Sequence, residues 1–434
     1  MTLTAADAVR PGGRVSEPGL AASVLLAVAA LLITVISLCS TAIYGVKQPL
    51  VALAFGLFIG VGAFLRLRLP GDREVWPVAT AGALAYSVLP WFGGISAEHA
   101  AYQAVSVTAL AMIAGMLPHM VASRLPALDL VARQVLAVAF AAFVFRPSWQ
   151  FGEARGYPAW ELSLIMLGVC VLALLLDASM ASLVRSARTR APFIRTLGDE
   201  LTAGLGLNSA VAATAVMISM TSSAMSFWAL PVFGLQMVLV QVAFKRYAMI
   251  RATYRQTIRA LSRVTEVGGY TETGHARRVC DISLAVGREM GMAENDLLNL
   301  EYAALMHDIG QLSLDDPIPG GATVVADPYQ QRQIADKGAD VIVETGVLDE
   351  VARIVRHIPD PYRRPQEVAD KSIPLASRII RAVNAFDDLV GGSLEGSRRF
   401  EALERLRLGM VYDFDPKVVE TLSRIVERNT SFAM

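Results

Sequence analysis

His275, His307 and His357 are three of the chain's five histidines, and each stands among residues able to share a charge. His307 is followed directly by Asp308, at the end of the apolar run Ala303-Ala304-Leu305-Met306 and ahead of Ile309-Gly310. His275 follows Gly274 in Tyr270-Thr271-Glu272-Thr273-Gly274-His275-Ala276-Arg277-Arg278-Val279, a stretch that opens a helix. Burying a His-Asp pair at the end of an apolar helix is costly unless a counter-charge satisfies it. One divalent cation held between imidazoles and a carboxylate does so. That mixed donor set suits iron, manganese, zinc, cobalt or nickel without choosing among them.

The elements that must hold these residues divide the chain in two. Of its 434 residues, 54% are hydrophobic and 18% charged, with mean hydropathy +0.46. The apolar excess lies before Phe244, and the residues beyond it have the composition of an ordinary soluble domain. Apolar runs of membrane-crossing length occur at Leu20–Tyr44, Pro49–Leu65, Pro77–Phe92, Ala100–Val121, Leu130–Phe145, Trp160–Leu176, Ser209–Met225 and Trp228–Phe244. About eight spans are expected, or seven or six if one of the short pairs is re-entrant. Arg10 and Arg14, Arg66, Arg68 and Arg73, Arg124 and Arg133, Arg185, Arg188, Arg190 and Arg195, and Lys245, Arg246, Arg251 and Arg255 mark alternate connections. The connections between them hold only Lys47, Arg146 and Arg155. By the positive-inside rule both termini are then cytoplasmic, in a multi-pass protein of the plasma (inner) membrane in contact with lipid.

Trp91, Trp149, Trp160 and Trp228 fall at outer ends and Trp76 at an inner one, as interfacial anchors would. Glu98, His99, Trp149 and Glu153 form an outer cluster, read as interfacial anchoring in preference to a ligand site. Glu161 and Asp177 sit at opposite ends of one span, within reach of headgroups. Phe193, Ile194, Leu197, Leu201 and Leu205 suit a helix lying in the inner interface. Beyond the last span, Tyr247, Ile250, Tyr254, Ile258, Leu261 and Val264 recur every three or four residues. This stripe either pairs with a second copy, giving a homodimer, or packs on its own domain. Net charge is +0 and gives no support for a nucleic-acid polymer as partner. Cys39, Cys170 and Cys280 have no paired spacing and read as packing residues.

The motif Ala303 to Gly310, with the upstream Tyr-Thr-x-x-Gly-His-x-x-Arg-Val and the run Pro374-Leu375-Ala376-Ser377-Arg378-Ile379-Ile380, resembles the HD superfamily of metal-dependent phosphohydrolases. The details are similar to its HDIG form and the HD-GYP branch, whose known members hydrolyse cyclic di-GMP. The resemblance covers Gly268 to Asp388. It implies an all-α domain in which His275, His307 and Asp308 ligate metal, and it aligns His357 with the first histidine of the branch's His-His pair. His357 then serves as a further ligand or a phosphate contact, and Arg278, one turn beyond His275, as a phosphate contact or a salt bridge. Departures are substantial: Ile358 replaces the second histidine, Asp360 to Pro365 replace the Gly-Tyr-Pro segment, Gln311 replaces a lysine, and Asn384 aligns with the closing aspartate.

The donors that remain suffice for one metal, held by His275, His307, Asp308 and Asn384. Asp387 or Asp388 reaches the site only if its helix slips by a turn. The loop Pro317 to Thr323 reads as a tight turn. The resulting reading is all-α throughout: a tail over 1–18, a transmembrane region over 19–244, a helical linker over 245–267 and an HD-type domain over 268–434. Its function is hydrolysis of a nucleotide or cyclic dinucleotide phosphodiester in signalling, with Asp308, His357 and Arg278 in the catalytic set. The alternative is an inactive relay or nucleotide-binding module on the same fold.

Overall fold

The computed structural model describes residues 17–69, 73–121, 128–150, 156–189, 192–318, 321–364, 370, 372–391 and 396–430. Arg10, Arg14, Arg124, Glu153, Arg155, Arg190, Pro319, Gly320 and Pro365 lie outside the described residues. The chain is all-α, interrupted among these residues by two short antiparallel hairpins, and separates into units over Met1–Met249 and Ile250–Met434.

In the first unit α1 (Glu17–Tyr44) is followed by α2 (Pro49–Phe64), the hairpin β1 (Leu67–Leu69) and β2 (Arg73–Val75), and α3 (Pro77–Ser87). A second hairpin, β3 (Trp91–Phe92) and β4 (Ile95–Ser96), leads to α4 (Ala101–Val121), α5 (Leu128–Gln150), α6 (Ala159–Thr189) and α7 (Phe193–Met225). The last helix, α8 (Ala229–Val267), contains the boundary between the units. Pro49 and Pro77 each stand in the first turn of a helix, where the missing N–H removes no bond.

Among the described residues, five stretches are long and apolar enough to cross a membrane: Leu20–Tyr44, Ala101–His119, Asp129–Trp149, Ala159–Arg188 and Phe193–Val267, the last comprising α7 and α8. The expected third span is corrected. Its helix is only 11 residues long, about 16 Å against a hydrocarbon core of about 30 Å. Pro90 and the left-handed Gly93 and Gly94 turn the rest of that apolar run into a hairpin. Every residue of α3 is buried, and α2 approaches it so closely that a Cβ on Gly62 would lie 2.4 Å from the Ala79 nitrogen.

The expected interfacial helix is also corrected. Phe193 to Met225 form one continuous helix of 33 residues, because no proline divides them. Trp76 and Trp149 are core residues, 1% and 0% exposed, whereas Trp160 and Trp228 remain outside. Of the outer cluster, His99 is buried, stacked on Tyr86 at 4.1 Å and in contact with Arg146. Asp177 faces Arg133 at 3.2 Å, an ion pair joining α5 to α6.

The second unit is built from the end of α8 with α9 (His275–Glu289), α10 (Glu294–Met306), α11 (Pro328–Val343), α12 (Asp349–Arg356), α13 (Leu375–Val390), α14 (Gly396–Leu408) and α15 (Pro416–Thr430). Its core gathers Val279, Leu300, Ala303, Val355, Ile380, Val383 and Leu422 from these helices. Ile258 of α8 joins this core, while Ile250, Tyr254, Leu261 and Val264 keep a face of the same helix exposed. Asp327 caps α11 by accepting from the Tyr329 and Gln330 amides, and left-handed Gly391 ends α13.

Candidate metal centre

Three helices deliver the donors. Gly274, at φ +79°, turns the chain so that His275 begins α9 with its side chain inward. His307 closes α10, and Asp308 follows at the start of a 3-10 turn over Ile309–Ser313. That turn is pressed against α11: a Cβ on Gly310 would lie 1.9 Å from the Ile334 carbonyl oxygen, so only glycine fits. From α13 come Asn384 and, one turn on, Asp387 and Asp388.

The side chains of His275, His307 and Asp308 are 5%, 3% and 4% exposed. Asp308 Oδ2 lies 3.3 Å from His275 Nε2 and 3.2 Å from His307 Nε2, and the two imidazole nitrogens are 3.3 Å apart. Asn384 Oδ1 lies 2.9 Å from His307 Nε2, its orientation fixed by donation of Nδ2 to Thr323 Oγ1 at 2.8 Å. The far nitrogens of both rings are occupied: His275 Nδ1 donates to Asp387 Oδ2 at 2.8 Å, and His307 Nδ1 to the Ala304 carbonyl at 2.9 Å. Those bonds turn both Nε2 lone pairs toward Asp308.

Four acceptor atoms therefore converge with no donor among them, and Asp308 Oδ2 is buried without a hydrogen-bond partner. A proton or a cation satisfies such a set. With no cation, protons take the place. Burial pulls the His275 pKa down, but hydrogen bonds to Asp308 and Asp387 outweigh it and raise it to about 10. Burial pushes the Asp308 carboxyl up, yet His307 and His275 hold it well below the usual carboxylate range. Asp388, 3.8 Å from His275 Nδ1, is raised by burial to about 6. A divalent ion fits the donor chemistry, since two neutral imidazoles, a carboxylate and an amide oxygen are all metal ligands and an anionic oxygen awaits a partner.

Residues 260–418 match the HD domain family. HD domains bind divalent metals, and a His-His-Asp group lies within the matched residues. The chain is 23% identical over 186 residues to the cyclic di-GMP phosphodiesterase response regulator RpfG of Xanthomonas campestris, covering 39% of this chain and 47% of that protein. It is 24% identical over 192 residues to a cyclic di-GMP phosphodiesterase of Thermotoga maritima, covering 40% and 50%. The chain thus spans about half the length of the curated relatives it matches. The family match begins inside α8, upstream of Gly268.

Within this HD domain the structure brings His275, His307, Asp308 and Asn384 together and sends two other expected site residues elsewhere. Arg278 is clamped to Asp387, with Nε 2.9 Å from Oδ1 and Nη2 2.9 Å from Oδ2, and also reaches Glu272 at 2.9 Å. It braces the carboxylate that orients His275, so the salt-bridge reading replaces the phosphate contact. His357 pairs through Nδ1 with Asp360 at 2.6 Å, and its side chain is 34% exposed. Because α12 ends at Arg356, the next turn carries His357 outward and presents Ile358 to the cavity instead.

Asp387 takes a place that sequence reasoning did not give it, against the far nitrogen of His275. Without any slip of α13, its carboxylate bonds that nitrogen at 2.8 Å. Asp388 accepts from the Val324 amide at 3.1 Å and ties down the segment beside the centre. Gln311 is fully buried, and Gly321 closes a turn from Ile318 against the backbone of Tyr270. Beside the centre lies a cavity of about 610 Å³. His307, Asp308 and Asn384 line one end, apolar side chains including Val355, Ile358 and Leu406 form its walls, and Arg381 and Arg405 also border it.

Proposed function

We propose that this chain is a membrane-anchored, metal-dependent phosphodiesterase acting on a nucleotide or cyclic dinucleotide, with a transmembrane region over 19–244 and the HD domain on the cytoplasmic side. The observation that carries the reading is the convergence of two imidazole Nε2 atoms and the Asn384 oxygen around the unpartnered Asp308 Oδ2. His275, His307, Asp308 and Asn384 hold one divalent ion. When bound, that ion supplies a Lewis acid that polarises a phosphoryl oxygen and lowers the pKa of water toward neutrality. Asp308 orients the attacking water, and Asp387 with Arg278 keeps His275 in its ligating tautomer. The open flank of His307 and Asp308 toward the cavity admits the phosphoester. Both curated relatives are named as cyclic di-GMP phosphodiesterases, which favours a cyclic dinucleotide here.

Membrane anchoring is supported by the large apolar side chains turned outward on α1, α2, α6 and α8, including Leu25 (70% exposed), Leu57 (62%), Leu164 (58%) and Leu235 (63%). Water is a poor solvent for so continuous an apolar exterior. The exposed face of α8 formed by Ile250, Tyr254, Leu261 and Val264 is where we place a second copy in a homodimer.

A relay without turnover is the second reading, favoured by Asn384 in place of a carboxylate and by Ile358 facing the cavity. Metal analysis of the purified full chain in detergent separates the two, run beside hydrolysis of bis(p-nitrophenyl) phosphate with manganese supplied. The enzyme reading expects about one ion per chain, lost in His307→Ala, and hydrolysis lost with it. Substoichiometric metal that His307→Ala leaves unchanged would overturn it, and a bound ion without hydrolysis would establish the relay.

A further inference from the structure

The cavity beside the metal donors is lined in part by α13: Asn384 reaches the centre, while Arg381, three residues earlier, also borders the cavity. Three residues are about 4.5 Å of helix rise, so the guanidinium starts roughly one turn from the centre. Arg381 is held in place by Nε donating to the Asp413 carbonyl at 3.1 Å and Nη1 to the Ile358 carbonyl at 3.3 Å, above the Phe414 ring at 5.7 Å. Its anionic neighbour, the Asp413 carboxylate, is 3.6 Å away and 57% exposed, so water screens much of that attraction. Asp360, whose charge also faces Arg381, is committed to Arg332 and His357. Arg405 adds a second positive side chain to the lining. Asp413 borders the cavity too, so a second phosphate would exchange with a half-exposed carboxylate for this guanidinium, which forms its strongest hydrogen bonds to phosphate and carboxylate.

We propose that Arg381 is the second anion-binding pole of the cavity, so that the site selects ligands carrying two phosphate groups over those carrying one. The proposal rests on the phosphohydrolase reading for what occupies the inner pole, and it makes Arg381 a specificity residue of that site. Neither probe that tests it is a phosphodiester, so the result does not depend on turnover: guanosine 3′,5′-bisphosphate and guanosine 5′-monophosphate, bound at equilibrium to the full chain in detergent with manganese supplied.

The bisphosphate is expected to bind at least about tenfold tighter, since one charge-assisted contact contributes roughly 1.5–3 kcal/mol. Arg381→Gln keeps a donor for the two carbonyls and removes the charge; it should abolish the preference while leaving monophosphate affinity unchanged. Arg381→Lys should retain part of it. Equal affinities in the unmodified chain, a preference surviving in Arg381→Gln, or an equal loss for both probes would each overturn the proposal. Hydrolysis of bis(p-nitrophenyl) phosphate by the unmodified chain, a substrate with one phosphate, tests the enzyme claim by itself, so its failure is read separately from failure of the specificity claim.

Discussion

His275 and His357 each bond through Nδ1 to an aspartate, at 2.8 Å to Asp387 and at 2.6 Å to Asp360, yet the surroundings of the two pairs differ. At His357 the ring is one-third exposed, Arg332 closes on Asp360 from the other side, and the charges balance locally. At His275 the ring is buried, its second nitrogen meets His307 Nε2 and Asp308 Oδ2, and nothing among the described residues donates to that carboxylate oxygen. The same residue types make a surface hydrogen-bonded pair in one place and a buried, unfinished set of acceptors in the other. Burial decides between them, because only in the dry interior does an unpaired acceptor remain uncorrected by water.

The most direct way to break this contrast is Asp308→Ala. Losing the sole carboxylate among the converging donors should lower metal affinity by more than the 10- to 100-fold typical of an outer-shell change, as measured by metal content after dialysis. Retained metal would show that the orphaned oxygen has no part in coordination. Asp387→Ala tests the support instead of the ligand. It frees both the His275 tautomer and the Arg278 clamp, and metal affinity should drop about 10- to 100-fold while the helical signal persists. If Asp387→Ala matched Asp308→Ala in severity, Asp387 would have to be a ligand.

Much of this was legible in the residues themselves. Histidine is scarce in this chain, so His275, His307 and the adjacent Asp308 stood out, and the helical periods around them placed each at a helix end, where the structure has them. Asp387 was harder. Its partnership with His275 depends on where α9 lies against α13, a tertiary relation that no local spacing encodes. The outward turn of His357 was hidden for a related reason: where α12 stops decides which of His357 and Ile358 faces inward. In the apolar half, run length stood in for span length and misled at Pro77 to Phe92, where Pro90 and two left-handed glycines end a helix that composition alone would continue.

Asn384→Asp sharpens the comparison from the opposite side, by strengthening the centre. A carboxylate replaces a neutral oxygen 2.9 Å from His307 Nε2, so manganese should bind about tenfold more tightly. In chelator the same change adds a negative charge to a pocket already holding Asp308, Asp387 and Asp388, so the melting temperature should fall without metal and rise with it. A fall in both conditions would place Asn384 outside the coordination shell. The pH dependence carries the same logic. His275 rises from its ordinary 6.5 to about 10, so between those values the folded metal-free protein binds more protons than the unfolded chain. Its contribution to stability is full below about pH 6.5 and disappears as pH climbs toward 10. Metal competes with those protons, so manganese affinity should rise over that window while metal-free melting temperature falls. Melting in chelator that is flat from pH 6.5 to 10 would contradict the raised value.

The smallest effect is expected at the other histidine, and it tests whether the contrast is real. His357→Ala removes a partly exposed partner of Asp360, whose remaining neighbour Arg332 still neutralises it. Exposed ion pairs contribute about 0–1 kcal/mol, which for a domain of this size shifts melting by at most a few degrees. Metal content and hydrolysis should be untouched, because Ile358 and not His357 borders the cavity. Were His357→Ala to halve the bound metal, the turn after α12 would have to rotate in solution to bring this ring inward. The division between a surface pair and a buried centre would then describe one state of a moving site.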